Sequence, residues 1–278
     1  MERIILADSS CDVNAELAEK IGLTLVPFKL YVDGVEYIDD KAFNVINFID
    51  KMVSSTDLPR SACPSPNDFM ENFKNLKEVF IVSISSKLSG TFNSAELGKN
   101  LYLEENPDAK VHVFDSKSAS IGETLVALKI REAIDSGKNF EEIVEFVEAF
   151  ITGQKTFFIA ESLDNLMKNG RISKFKGKLA TALNIKPIMK ATDEGEITLH
   201  EKARGSNKAF KKLADIICEN AVNPELRTLA ISHCNNLERA NMLKDEVEKR
   251  CSFKNIVIVQ TAGLSSLYVD NQGIIVSF

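Results

Sequence analysis

The sequence predicts an α/β protein in two parts. Residues 1–152 read as an N-terminal domain around a Rossmann-like parallel or mixed sheet, and residues 153–278 as a C-terminal α+β domain with a mostly antiparallel sheet. Three observations carry this. In the first half, short apolar runs alternate with amphipathic stretches, the pattern of strand–helix–strand units. After about residue 152 that alternation gives way to a hairpin pattern and closing strands. With 278 residues, 44% of them hydrophobic and 27% charged, the chain can bury a large core without disulfides or metal.

Residues 4–7 form a short buried strand, followed by the loop Asp8-Ser9-Ser10-Cys11-Asp12. A helix over 15–21 is closed by Gly22, a glycine stop signal. Residues 23–32 are strand-like, and Asp33-Gly34 signals a turn. Ser65-Pro66-Asn67-Asp68 starts a helix, with Ser65 able to cap, Pro66 at the first helical position and Asp68 in the positive first turn. A second buried strand over 79–84 leads into Ser85-Ser86-Lys87-Leu88-Ser89-Gly90-Thr91 and a helix over 94–101. A third strand, 111–114, ends at Asp115-Ser116, and a helix follows over 124–134. Asn139 and Glu142 make a capping box for the next helix, through Phe150. In the second half, 156–160 is a strand and 163–168 a short helix. Residues 187–191 and 196–202 flank the hairpin turn Asp193-Glu194-Gly195. Helices over 208–221 and 237–250 and strands over 228–232, 256–259 and 274–278 complete the chain.

Composition narrows the function. Lys and Arg total 34 against 40 Asp and Glu, a formal charge of −6. An acidic chain without basic runs is a poor general binder of nucleic acid. The longest uncharged stretch, residues 255–269, is broken by polar residues and falls short of the ~18 apolar residues that suit a membrane span. No secretory signal pattern opens the sequence. Five widely spaced cysteines without a CxxC pair read as free thiols of a reduced cytoplasmic protein. His112, His200 and His233 are scattered and give no metal-ligand spacing; no metal or cofactor is expected. Phosphate-loop, dinucleotide-binding and GxSxG signatures are absent. With 17 Phe, 4 Tyr and no Trp, the aromatic rings suit packing or an apolar pocket.

Ligands of open α/β sheets bind beyond the carboxyl ends of the strands. The loops after Ala7, Ile84 and Phe114 sit there, each rich in Ser, Asp or Thr. At Ser89-Gly90-Thr91, free amides of a helix start and two hydroxyls make a neutral anion site. Ser61 lies just before the other strong helix start. Three readings follow: a non-enzymatic carrier of a carboxylate ligand, a hydrolase or acyl- or phosphoryl-transfer enzyme using Ser89 as nucleophile, or a carrier of another small organic anion. No histidine lies near Ser89 in sequence to serve as its base.

Six segments in order resemble the DegV family: Asp8-Ser9-Ser10-Cys11-Asp12, Ser61-Ala62-Cys63-Pro64-Ser65, Ser85-Ser86-Lys87-Leu88-Ser89-Gly90-Thr91, Asp115-Ser116, Gly170-Arg171-Ile172-Ser173 and Ile185-Lys186-Pro187-Ile188. The resemblance implies a two-domain DegV (EDD) fold that binds a long-chain fatty acid at or near the domain interface. It also implies presentation of the carboxyl group to the catalytic subunit of a fatty acid kinase, which makes an acyl phosphate for phospholipid synthesis. Residue by residue, Ser61 and Ser89 would hold the carboxylate together with Gly90 and Thr91, and Arg171 and Arg204 would face the kinase. Two departures stand out. Ser61-Ala62-Cys63 replaces the family's Thr-Ser-Gln, and the C-terminal segment Gln260-Thr261-Ala262-Gly263-Leu264-Ser265-Ser266 lacks the family's histidine. Ser265 and Ser266 are candidate replacements at the head group; Leu166, Met167 and Leu264 are candidate tail contacts.

Overall fold

A computed structural model describes residues 3–73, 76–172 and 185–278; Ser173 of the fifth matching segment lies outside them. The N-terminal half opens with strand β1 (Arg3–Asp8), helix α1 (Ala15–Ile21) and strand β2 (Leu23–Val26). Asn14 caps α1 through its side chain, and Gly22 closes it in the left-handed conformation. The single strand expected over 23–32 is two strands. Pro27 and Phe28 interrupt it, and the chain leaves β2 for β3 (Lys29–Val32). Proline lacks the N–H that continued pairing needs. Asp33 and Gly34, both at positive φ, turn β3 into β4 (Val35–Ile38), the twisted two-residue connection that hairpins favour.

Helix α2 (Val45–Ser54) and strand β5 (Arg60–Ala62) follow, and β4, β3 and β5 form a small antiparallel sheet. Helix α3 (Pro66–Phe73), strand β6 (Glu78–Ser83), helix α4 (Thr91–Glu105), strand β7 (Lys110–Asp115) and helices α5 (Ile121–Asp135) and α6 (Phe140–Gly153) complete this half. The main sheet is parallel, in the order β2-β1-β6-β7. All six residues of β6 are buried, as expected of a strand covered on both faces. The capping box of α6 forms: Asn139 accepts from the Glu142 amide and Glu142 from the Asn139 amide.

Strand β8 (Thr156–Ile159), helix α7 (Asp164–Lys168), the hairpin β9 (Ile185–Ala191) and β10 (Ile197–Arg204), and helix α8 (Ser206–Asn220) begin the second half. Strand β11 (Thr228–His233), helix α9 (Leu237–Glu248), strand β12 (Asn255–Gln260), helix α10 (Gly263–Val269) and strand β13 (Ile274–Ser277) end it. The six-stranded sheet runs β10-β9-β8-β13-β11-β12, antiparallel except for the last pair. The mixed architecture expected from the sequence is present.

Hydrophobic packing does not stop between the halves. One core joins Ile5, Phe80 and Phe114 of the parallel sheet to Phe158, Ala230 and Ile275 of the other, with α5 between them. The free-thiol expectation is corrected for one pair. Cys218 at the end of α8 and Cys251 after α9 form a disulfide, their Cα atoms 5.8 Å apart. Packing of α8 against α9 brings together residues 33 apart in sequence. Cys11, Cys63 and Cys234 are free thiols.

Candidate functional site

The three loops at the carboxyl ends of β1, β6 and β7 are tied to one another by their own polar groups. The Asp8 carboxylate accepts from the amides of Ser10 (3.0 Å) and Ile84 (2.9 Å). Asp115 accepts from the Ser86 amide (3.1 Å), and the Ser85 amide donates to the Ser118 carbonyl (2.8 Å). The loops are therefore set before any ligand arrives.

The second half closes over them through α10. Its entry is held by carboxylates of the first half: Asp12 accepts from the Ala262 amide (2.7 Å), and Asp39 from the amides of Gly263 (2.9 Å) and Leu264 (3.0 Å). Ser120 donates to Asp12 and shares a 2.8 Å contact with the Ser232 hydroxyl of β11. The Ser118 and Thr156 hydroxyls meet at 2.8 Å across the two halves.

Between these parts lies a pocket with about 790 Å³ of atom-free space, its opening to solvent included. Its apolar wall includes Phe28, Ile84, Phe158, Ile197, Leu264 and Ile275. One end is partly exposed and polar. There Ser61, Leu88, Ser89, Arg171 and Tyr268 are half-buried, as are Lys117, Ala191 and Ile197 elsewhere in the lining, whereas Phe158, Leu166, Leu264 and Ile275 are buried. At the exposed end the Ser61 hydroxyl lies 3.2 Å from the Tyr268 hydroxyl. Arg171 lies over the Tyr268 ring, 5.4 Å from its centroid, and its Nε donates to the Leu88 carbonyl (3.2 Å). Ser89 shares a 2.8 Å hydrogen bond with the Thr91 hydroxyl.

The residues singled out from the sequence divide accordingly. Ser61, Ser89, Leu166, Arg171, Leu264 and Ser265 line the pocket. Gly90 and Thr91 stand behind Ser89 without lining it; the Thr91 amide faces the Ser89 hydroxyl at 3.4 Å. Ser266 turns away to the Thr261 hydroxyl (2.7 Å), and Met167 packs against the central core. Arg204 is exposed at the end of β10, away from the pocket wall. Sequence reasoning missed Phe28, Tyr268 and the wall of Ser118, Ser120 and Thr156. The Ser- and Thr-rich loop after β7 was the one available signal for Ser118 and Ser120.

Beneath the pocket lies a cluster of buried carboxyl groups. Burial raises Asp8 and Asp12 to about 7 and Asp39 to about 6. Glu123, fully buried with both carboxyl oxygens unpartnered, is pushed well above the ordinary carboxylate range by burial and by nearby Asp8. Held toward their uncharged form, these acids offer an incoming carboxylate no cation, whereas the exposed end offers hydroxyls and the Arg171 guanidinium. No histidine lines the pocket. His112 contacts Glu148, His200 stacks edge-on with Phe157, and His233 accepts from the Asn236 amide. Among the described residues no group of acidic, His or Cys side chains is disposed to hold a metal ion, and no helix is long and apolar enough to cross a membrane.

Several known proteins share this fold. A crystal structure of a DegV family protein from Ruminococcus gnavus, refined with vaccenic acid, matches with a TM-score of 0.96 and 40% identity, covering 100% of this chain and 99% of that one. A DegV family protein from Eubacterium eligens loaded with heptadecanoic acid matches with a TM-score of 0.92 at 30% identity, over 99% of both chains. The Streptococcus pneumoniae Fatty Acid Kinase (Fak) B3 protein loaded with linoleic acid matches with a TM-score of 0.91 at 34% identity, over 100% and 99%. A DegV domain-containing protein of S. pneumoniae is 34% identical over 276 residues, 99% of this chain and 98% of the relative. The family model described as "Uncharacterised protein, DegV family" matches residues 3–276, and the chain belongs to that family.

Proposed function

We propose that this protein binds a long-chain fatty acid without transforming it, and presents the carboxyl group to the catalytic subunit of a fatty acid kinase for conversion to an acyl phosphate. The observation that carries the reading is the polarity of the pocket. It is an apolar slot whose partly exposed end holds the Ser61 and Ser89 hydroxyls and Arg171, above an interior that already contains four carboxyl groups, those of Asp8, Asp12, Asp39 and Glu123. The fatty acids held by the R. gnavus, E. eligens and S. pneumoniae proteins support the same ligand class here.

The head group accepts from Ser61 and Ser89 and is neutralised by Arg171. Each methylene of the tail gains roughly 0.8 kcal/mol on burial, so the tail supplies most of the affinity and the head sets its direction. Exposed Arg204 is left for the kinase. Presentation without catalysis fits a Ser89 that pairs with Thr91 and has no imidazole beside it.

Mass spectrometry of an organic extract of the purified protein tests the reading, with near-stoichiometric fatty acid as the expected result. A protein free of lipid that also takes up none when supplied would overturn it. Replacing both Ser61 and Ser89 by Ala removes hydrogen bonds to a charged group worth roughly 1.5–3 kcal/mol each, so affinity should fall tenfold or more. Arg204→Ala should leave lipid binding intact and slow phosphorylation by the kinase.

A further inference from the structure

The pocket ends in a second polar feature that head-group binding does not use. Ser118 and Thr156, both buried, share a 2.8 Å hydrogen bond, and Thr156 continues to Ser277 at 3.0 Å. The tip of the β9–β10 hairpin closes over them. Ser85 donates to the Gly195 carbonyl (2.8 Å), and Lys155 pairs with Asp193 (2.9 Å). Gly195 has φ +87, and a Cβ there would run into the Ser85 hydroxyl and come within 2.9 Å of the Lys117 Cα. The seal therefore requires a glycine. Behind the wall lies a second, small pocket, about 270 Å³ of atom-free space with its opening to solvent included, bounded by Ser116, Thr152, Gln154 and Asp193. Lys117, Ser118, Thr156 and Ala191 line both cavities.

We propose that the Ser118–Thr156 wall, sealed by the hairpin tip at Gly195, is the gauge that sets the longest acyl chain the pocket accepts. The inference rests on the fatty-acid reading above. The Ser61 and Ser89 hydroxyls and the Arg171 guanidinium hold the ligand's head at their end, so the terminal methyl travels toward the wall. Burying one more methylene strengthens binding about fourfold. Driving a chain between Ser118 and Thr156 would break their buried hydrogen bond, leaving Ser118 only the longer contact to the Ala119 carbonyl (3.4 Å) while Thr156 keeps Ser277, at a cost of roughly tenfold. The hydroxyl wall thus stops a chain that simple apolar packing would let pass into the second cavity.

The test measures affinities of the delipidated full-length protein for saturated straight-chain acids from lauric to arachidic. The Ser118→Ala/Thr156→Ala double variant, which opens the wall, should move the preferred length up by about two methylenes. Ala191→Leu, which adds bulk to the wall, should move it down. Ser118→Ala alone, which removes a single oxygen, gives a shift in the same direction as the double variant should that variant fold poorly. Folded variants that keep the wild-type length preference would overturn the gauge while leaving fatty-acid binding in place. A double variant that loses affinity equally for every length would overturn it too, by placing the head group at the wall. A wild-type protein that binds no member of the series would instead overturn the fatty-acid reading itself.

Discussion

Asp39 shows how much one buried side chain settles. It stands beside Asp40 in sequence, and it accepts from the amides of Gly263 and Leu264 and from the Ser9 hydroxyl, and so fastens α10 to the N-terminal half. Asp39→Ala leaves three donors without a partner. Unsatisfied buried groups cost roughly 1–3 kcal/mol each, so urea unfolding should show a loss of about 3 kcal/mol or more. Asp39→Asn keeps one acceptor oxygen and should lose less. Equal losses would mean that the carboxylate's acceptor capacity is not what holds the joint. Gly263 faces the same contact from the other side. A Cβ there would lie 2.6 Å from Leu30 and 2.8 Å from Phe43, so Gly263→Ala should destabilise by about 1–3 kcal/mol, the usual range for an overpacked core. The choice between Ser265 and Ser266 is likewise a single-residue matter. The sequence offered both, and only the rotational phase of α10 turns Ser265 to the pocket and Ser266 to Thr261.

At the scale of elements, the sequence was most legible where local chemistry ends a helix. Asn14, Gly22, Asn139 and Glu142 do what their positions imply. Three elements, α10, β4 and β5, were hidden for physical reasons. In α10, Gly263, Leu264, Ser265, Ser266, Leu267 and Val269 are all buried, so no polar face marks a helical period. Strands β4 and β5 have four and three residues and are largely exposed, too short for alternation to declare itself. The α8–α9 disulfide was illegible because its partners meet only through helix packing. Closing a loop with a sequence separation of 33 contributes roughly 3–4 kcal/mol on the chain-entropy account. Reduction, or the Cys218→Ser change, should therefore lower the unfolding midpoint in denaturant, with the pocket's ligand affinity unchanged because neither cysteine lines it. An unchanged midpoint would show that the helix pair is held by its apolar packing alone.

The whole molecule joins its halves across buried acid, and this fixes the sign of its response to pH. Burial raises Asp8 and Asp12 to about 7, Asp39 to about 6, and Glu123 well above its ordinary value. In the unfolded chain these groups titrate near 4. Between about pH 4 and pH 7 the folded protein therefore holds protons that the unfolded chain has released, and stability falls as pH rises through that window. His200 and His233 act in the opposite sense, because burial lowers both, so they oppose acid stabilisation below about pH 6.5. Glu246, lowered to about 2 by Lys249 and Arg250, matters only in stronger acid. Four raised carboxyls outweigh two lowered imidazoles, and the thermal midpoint should be higher at pH 5.5 than at pH 8, at roughly 2–4 °C per kcal/mol for a chain of this size class. Glu123→Gln isolates one of these contributions. Glutamine copies the shape of the protonated acid without its tendency to ionise, so the variant should be more stable than the parent at pH 8 and its midpoint should vary less between the two pH values. A midpoint that rises with pH in the parent, or a Glu123→Gln variant with the parent's full pH slope, would show that these carboxyls are solvated and ionised rather than held as protonated groups in the joint between the two sheets.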